Sequence, residues 1–300
     1  MKDKSFTRKF VPTAQSLQAV VKARLLGGKI MDKNAPIGVF DSGIGGLTVV
    51  REIMKQLPNE RIVYFGDTAR VPYGSKSKET VITYARQIVK FLKTKEVKAI
   101  VIACNTACAL AFEVVKEESD IPVIGVVKPG AKAAAVSTKN GKIGIIATEA
   151  TIRSGIYEEF LSLTNPEVQV YGKACPLFVP LVEEGLLDDS VTIEIAGRYL
   201  QSLKEYNIDT LVLGCTHYPL IRDTLQKVAG DGVTLVNPAF ETAKSLKIML
   251  EKYGIESDRI ETVTDHKFFV SDGAEKFKVF ANTILPCDVV ETKDINIEQY

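Results

Sequence analysis

From Pro36 onward the chain switches repeatedly between two hydrophobic periods. Ile37-Gly-Val-Phe40 is a short apolar run that ends at a glycine-rich turn, and it reads as a buried strand. Thr48 to Leu57 carries helical spacing and stops at Pro58, which cannot continue a helix. Arg61-Ile-Val-Tyr-Phe65 is a second strand, followed by a polar loop from Gly66 to Lys78. Between Glu79 and Lys95 the apolar residues Val81, Ile82, Ala85, Ile88, Val89 and Leu92 fall on one helical face. Ala99-Ile-Val-Ile-Ala103 is apolar without interruption, the pattern of a strand covered on both faces. Strands alternating with helices predict an α/β fold built on a mostly parallel sheet flanked by helices.

The pattern then begins again. Lys142-Ile-Gly-Ile-Ile146 resembles Pro36-Ile-Gly-Val-Phe40, and Thr210-Leu-Val-Leu-Gly214 resembles Ala99-Ile-Val-Ile-Ala103. The two pairs are offset by nearly the same number of residues, in the same order. This predicts two pseudo-symmetric α/β domains, residues 36–130 and 131–240, with a site between them. Residues 241–300 have no counterpart in the repeat and are expected to return to the first domain. Residues 1–35 form an N-terminal extension, disordered or helical. It is basic and carries a helix-like stretch from Leu17 to Leu26, with Met31 as an alternative start.

In each half the buried strand ends in a cysteine with polar followers: Cys104-Asn105-Thr106 and Cys215-Thr216-His217. Ligands of open parallel sheets bind beyond the carboxyl ends of the strands. Backbone N–H groups at a helix start bind carboxylates and lower a thiol pKa. A lone buried cysteine is ordinarily an inert small hydrophobe, and Cys108, Cys175 and Cys287 are read that way. Two cysteines at equivalent strand ends point instead to a pair of opposed acid–base groups. A redox pair is the rival, weakened by the lack of a Cys-x-x-Cys spacing.

Asp41-Ser-Gly-Ile-Gly-Gly-Leu-Thr48 follows the first strand but fits neither the Rossmann nor the Walker pattern, so nucleotide binding is set aside. The turn still offers backbone N–H groups to an anion, with Asp41 and Ser42 at its mouth; the plainer role for Asp41 is a helix cap. The loop holding Pro72-Tyr73-Gly74 is, by residues alone, a shaped surface turn. His217 stands two residues from Cys215 and is placed in proton handling, whereas His266 has no such context and is read as structural. Glu183-Glu184 after an apolar run is, by residues alone, a solvated helix end.

Composition narrows the field. Apolar residues make up 46% and charged residues 25%, as in ordinary globular proteins. The net charge of +1 gives no reason to expect nucleic acid or a membrane surface as partner. An odd cysteine count argues against a disulfide framework, and the reading is a cytoplasmic protein without a leader. Two histidines and scattered cysteines make no metal site.

Taken together, five segments resemble the glutamate racemases. They are Phe40 to Thr48, Gly66 to Arg70 with Pro72 to Gly74, Ala103 to Ala107, Ala174 to Pro180, and Leu213 to Leu220. The resemblance implies cofactor-independent interconversion of L- and D-glutamate by a two-base thiol/thiolate mechanism, supplying D-glutamate for peptidoglycan, in an enzyme that is commonly a homodimer. It implies that Cys104 and Cys215 are the catalytic pair, Asp41 supporting the first and His217 the second. It implies substrate contacts at Asp41, Ser42, Tyr73, Gly74, Asn105, Thr106, Thr216 and His217. It also implies an active-site glutamate at Glu183 or Glu184; of the two, Glu184 is placed in the site. The chain departs from the family at the basic extension, at Cys108 and at Ala150. Aspartate racemase and a non-enzymatic, gyrase-inhibitor-like binding protein are the alternatives.

Overall fold

A computed structural model of the chain describes residues 31–300. Residues 1–30, most of the expected N-terminal extension, lie outside the described residues. The first sheet contains β1 (Ile37–Asp41), β2 (Ile62–Gly66), β3 (Ala99–Ile102) and β4 (Val123–Gly125). The second contains β5 (Lys142–Ala147), β6 (Gln169–Ala174), β7 (Thr210–Gly214) and β8 (Thr234–Val236). Their spatial orders are β2-β1-β3-β4 and β6-β5-β7-β8, one topology written twice. All of these neighbours pair in parallel. The registers repeat as well: Ile37 faces Ala99, and Ile143 faces Thr210. The residues matched by the sequence repeat therefore occupy matching places in the two sheets.

Two further strands, β9 (Lys267–Val270) and β10 (Thr292–Asp294), extend the first sheet on its β2 edge. The chain after residue 241 thus goes back to the first sheet. Parallel pairing requires crossovers, and helices provide them. In the first half these are α1 (Leu47–Gln56), α2 (Lys78–Lys93), α3 (Asn105–Glu117) and α4 (Val127–Ser137). In the second they are α5 (Glu149–Arg153), α6 (Ile156–Thr164), α7 (Phe178–Glu183), α8 (Ser190–Glu205) and α9 (Arg222–Ala229). The helices α10 (Pro238–Tyr253) and α11 (Ala274–Ile284) complete the return. Strands β1, β2, β3 and β7 are buried along their whole length, as covering on both faces requires. Among the described residues no helix is long and apolar enough to cross a membrane.

Two local features are not set by the hydrophobic pattern. The segment from Gly66 to Lys78 is not a plain surface loop. It folds into two short 3₁₀ turns around Asp67, which is fully buried and accepts hydrogen bonds from Arg70 Nε at 2.8 Å and from the Tyr73 hydroxyl. The Arg70 guanidinium also lies 3.9 Å from the Tyr84 ring centre. The second feature is a buried charge. Lys98, at the entrance to β3, bonds the Glu60 carboxylate at 2.5 Å, and both side chains are almost wholly buried.

Candidate active site

The carboxyl ends of β1 and β3 face those of β5 and β7 across a cavity of about 370 Å³. This is where open parallel sheets hold ligands, and here two such sheets share the space. Cys104 and Cys215, the residues that follow the equivalent strands β3 and β7, both line it. Around them are Ser42, Tyr73, Gly74, Asn105, Thr106, Thr216 and His217. Every expected contact residue except Asp41 is therefore in the wall.

The surroundings of the two thiols differ. Cys104 is the N-cap of α3 and takes the Ala107 N–H at 3.4 Å, while its own S–H reaches Ser42 Oγ at 3.5 Å. Burial pushes its pKa up to about 12, and the nearby Asp41 carboxylate adds to the effect. The helix start does not bring this thiol toward neutrality, because desolvation outweighs the two weak hydrogen bonds. Cys104 is accordingly held as a thiol.

Cys215 has a histidine beside it. His217 Nδ1 lies 3.8 Å from the Cys215 sulfur, and Nε2 lies 3.0 Å from Glu183 Oε1. Burial alone would favour neutral imidazole; the sulfur, the Glu183 carboxylate and the charge on Asp41 reverse that and raise its pKa to about 10. The carboxylate at this position is Glu183, and the placement of Glu184 in the site is corrected here. Val179 and Glu183 are four residues apart on α7, so both face the cavity. Glu184 is the next residue, turned away at the helix end and exposed.

The glycine-rich turn after β1 holds an anion of the protein's own. Asp41 Oδ1 accepts the Gly43 N–H at 3.0 Å, and Oδ2 accepts the Thr216 hydroxyl at 3.2 Å. Asp41 is completely buried below the wall, where its carboxylate takes the backbone N–H groups of Gly43 and of Gly46, the residue that opens α1. It influences Cys104 through its charge, since the Cys104 sulfur bonds Ser42 and Ala107 instead. The turn has a second reason for glycine. A Cβ on Gly45 would collide with Thr216 Oγ1 and His217 Nδ1. The Thr48 hydroxyl, from the same turn, donates to the Thr216 carbonyl at 2.9 Å. The two halves thus meet backbone to side chain at this point. They meet again where Gly74 packs on Thr148 with no room for a side chain.

Three site neighbours carry no mark in the sequence. Thr148 and Thr151 close a triangle of hydroxyls with Thr106, at 2.9 to 3.3 Å. Tyr157 reaches from α6 to Asn105, with its hydroxyl 2.7 Å from Oδ1. Only the Ala-Thr-x-x-Thr spacing at a strand end could have pointed to the threonines. The remaining cysteines behave as small hydrophobes. Cys108 is buried one turn along α3, with its pKa pushed up to about 12 by burial, and Cys175 is fully buried with its pKa raised for the same reason. His266 accepts the Ile62 N–H at 3.2 Å at the start of β2, a structural position. Among the described residues no group of histidine, cysteine or carboxylate side chains is arranged to hold a metal ion.

Comparison with known proteins identifies the family. The family model for Asp/Glu/hydantoin racemases matches residues 37–246. A glutamate racemase of Geobacter metallireducens is 47% identical over 262 residues, covering 87% of this chain and 97% of its own. The crystal structure of a glutamate racemase from Bacillus anthracis superposes with a TM-score of 0.85 at 41% identity, covering 88% of this chain and 98% of that one. A glutamate racemase of Francisella tularensis, crystallised in complex with D-glutamate, gives 0.83 at 39% identity over 89% of this chain and all of its own. The match spans both halves of the repeat and the cavity between them, and the chain belongs to the Asp/Glu/hydantoin racemase family.

Proposed function

We propose that this protein interconverts L- and D-glutamate, with Cys104 and Cys215 as opposed acid and base on the α-carbon. The observation that carries the reading is two thiols at equivalent strand ends, lining one cavity from two different sheets. Racemisation removes a weakly acidic proton from one face and returns one to the other. A pair of groups on opposite faces does this without either having to cross over, and a thiol can serve in both protonation states. The relatives' shared name narrows the amino acid to glutamate.

The free enzyme has one thiol and one thiolate. Cys104, with its pKa pushed up to about 12, is the thiol. His217, held protonated by Glu183, is placed to stabilise a thiolate on Cys215. Cys215 then takes the α-proton of L-glutamate while Cys104 delivers its own proton to the opposite face. D-glutamate leaves with Cys104 as thiolate, and exchange with solvent resets the pair. In the other direction Cys104 is the base. Asn105, Thr106 and the backbone N–H of Thr216, whose hydroxyl proton goes to Asp41, are the donors for the α-carboxylate, which gains charge as the carbanion forms. Ser42, Tyr73 and Gly74 complete the substrate-binding set, with Asp41 behind the wall holding the Thr216 hydroxyl. No cofactor is needed. The physiological role is supply of D-glutamate for peptidoglycan, in the cytoplasm and as a homodimer.

Incubating the purified protein with L-glutamate alone should yield D-glutamate, with solvent deuterium incorporated at the α-carbon. Turnover of aspartate but not glutamate would move the reading to an aspartate racemase. A Cys104–Cys215 disulfide accumulating during turnover would replace it with redox chemistry.

A further inference from the structure

Asn105 is the donor nearest Cys104 in sequence, and an amide can present either its NH₂ or its oxygen to the cavity. The two choices have opposite consequences for an anionic substrate. What decides between them lies on the far side of the residue. Tyr157, in α6 of the second half, is buried, and its hydroxyl has Asn105 Oδ1 as its hydrogen-bond partner at 2.7 Å. Its ring lies under Gly214, the residue before Cys215, where a Cβ would come 3.4 Å from Cε2. Tyr157 is therefore wedged between the strand end carrying one cysteine and the helix start carrying the other.

We infer that Tyr157 is a positioning residue that locks the Asn105 amide with Nδ2 toward the substrate carboxylate. The inference rests on the racemase reading above. A buried phenol that only accepted a hydrogen bond would leave its own proton unpaired, which is costly in an apolar surrounding. Donating to Oδ1 satisfies it. That leaves the two Nδ2 protons for the cavity, where an anion needs donors. Turning the amide over would fail at both ends at once: the phenol would lose its acceptor and Oδ1 would face the carboxylate. Tyr157 also explains why the lock spans the two halves. It joins the second half to the donor beside Cys104, so the amide is oriented only when the halves are packed as they are here.

The test is a double-mutant cycle on racemisation. Tyr157→Phe removes one oxygen and should lower kcat/KM by about ten-fold, because the donor is no longer held in place. Asn105→Ala should lower it further. In the Asn105→Ala background, Tyr157→Phe should have no added effect on kcat/KM, while it still lowers the melting temperature. A structural role alone would give the same loss of activity in both backgrounds, and that outcome overturns the inference, as does an unaffected Tyr157→Phe enzyme. A second measurement needs no change at Tyr157. The side-chain ¹⁵N–¹H₂ signal of Asn105, assigned by its loss in Asn105→Ala, should shift when D-glutamate is added. A signal that does not respond places the oxygen in the cavity and overturns the assignment. Wild-type turnover is measured in the same series, so failure of the racemase reading shows as an inactive parent enzyme and is distinct from failure of the lock.

Discussion

Replacing Glu183 with glutamine isolates the electrostatic part of the Cys215 side of the site. Glutamine keeps the size and one acceptor oxygen of glutamate, so the contact with His217 Nε2 at 3.0 Å survives while the charge is lost. A hydrogen bond to a charged group contributes about 1.5–3 kcal/mol. The Glu183 side chain is 28% exposed against 5% for His217, so water screens part of this and the lower end applies. About 1.4 kcal/mol corresponds to one pH unit on His217 and ten-fold in rate. The sign follows from the direction of the shift. The folded-state pKa of His217 is raised to about 10 from 6.5, so its stabilising contribution is complete below 6.5 and is lost as pH rises through about 10. The alkaline limb of kcat/KM in Glu183→Gln should therefore fall about one pH unit lower, with about a ten-fold loss at its plateau. The assay is circular dichroism from each pure enantiomer across the neutral and alkaline range. The enantiomers have equal free energies, so kcat/KM must fall by the same factor in both directions. Glu184→Gln is the control and should match the wild type. An unshifted alkaline limb in Glu183→Gln, or an equal loss in Glu184→Gln, would refute the pairing.

Other perturbations test the remaining parts of the architecture. Cys104→Ala and Cys215→Ala should each lose about a thousand-fold in racemisation, the order expected for a missing acid or base; near-normal turnover in either removes the two-base mechanism. Gly45→Ala should force Thr216 and His217 away from the turn, costing about 1–3 kcal/mol of stability and lowering kcat/KM, and an unchanged melting temperature would show the turn to be looser than described. Lys98→Met strands the buried Glu60 carboxylate and should destabilise by about 3–5 kcal/mol in chemical denaturation, with Lys98→Met/Glu60→Leu recovering most of the loss.

The parts of this fold that are readable from the chain are those set by short-range pattern. The uninterrupted runs at Ile37–Phe40, Ala99–Ala103 and Thr210–Gly214 have no polar face to turn outward, so they lie in the middle of sheets covered on both sides. A cysteine directly after such a run is fixed at the strand end whatever the rest of the chain does. The choice between Glu183 and Glu184 is of another kind. Neighbouring residues on a helix point about 100° apart, and a six-residue helix with Pro180 inside it gives too short a pattern to set the phase. Tyr157 and Thr148 are less legible still. Each belongs to the second half by sequence and acts on residues of the first, and Tyr157 reads as one more large residue on an amphipathic helix. The turn from Asp41 to Thr48 misleads for a physical reason: its N–H groups do bind a carboxylate, but one supplied by the chain itself.

The two sheets repeat one topology, yet the two cysteines do not share one environment. Cys104 is surrounded by Asp41, Ser42 and an apolar core; Cys215 has His217 and, behind it, Glu183. A reaction between enantiomers of equal energy cannot be driven toward either product by such an arrangement. What the asymmetry can do is choose the protonation state in which the empty enzyme rests. On the proposed mechanism, with Cys104 as thiol and an imidazolium beside Cys215, the resting form is the one suited to L-glutamate. The equal free energies of the enantiomers still require kcat/KM to be the same for both, so any cost of populating the other form is offset by the steps that follow it. On the proposed mechanism, the repeated topology explains how two thiols can face one carbon, and the difference between their neighbours explains how the pair begins each cycle with its two members in different states.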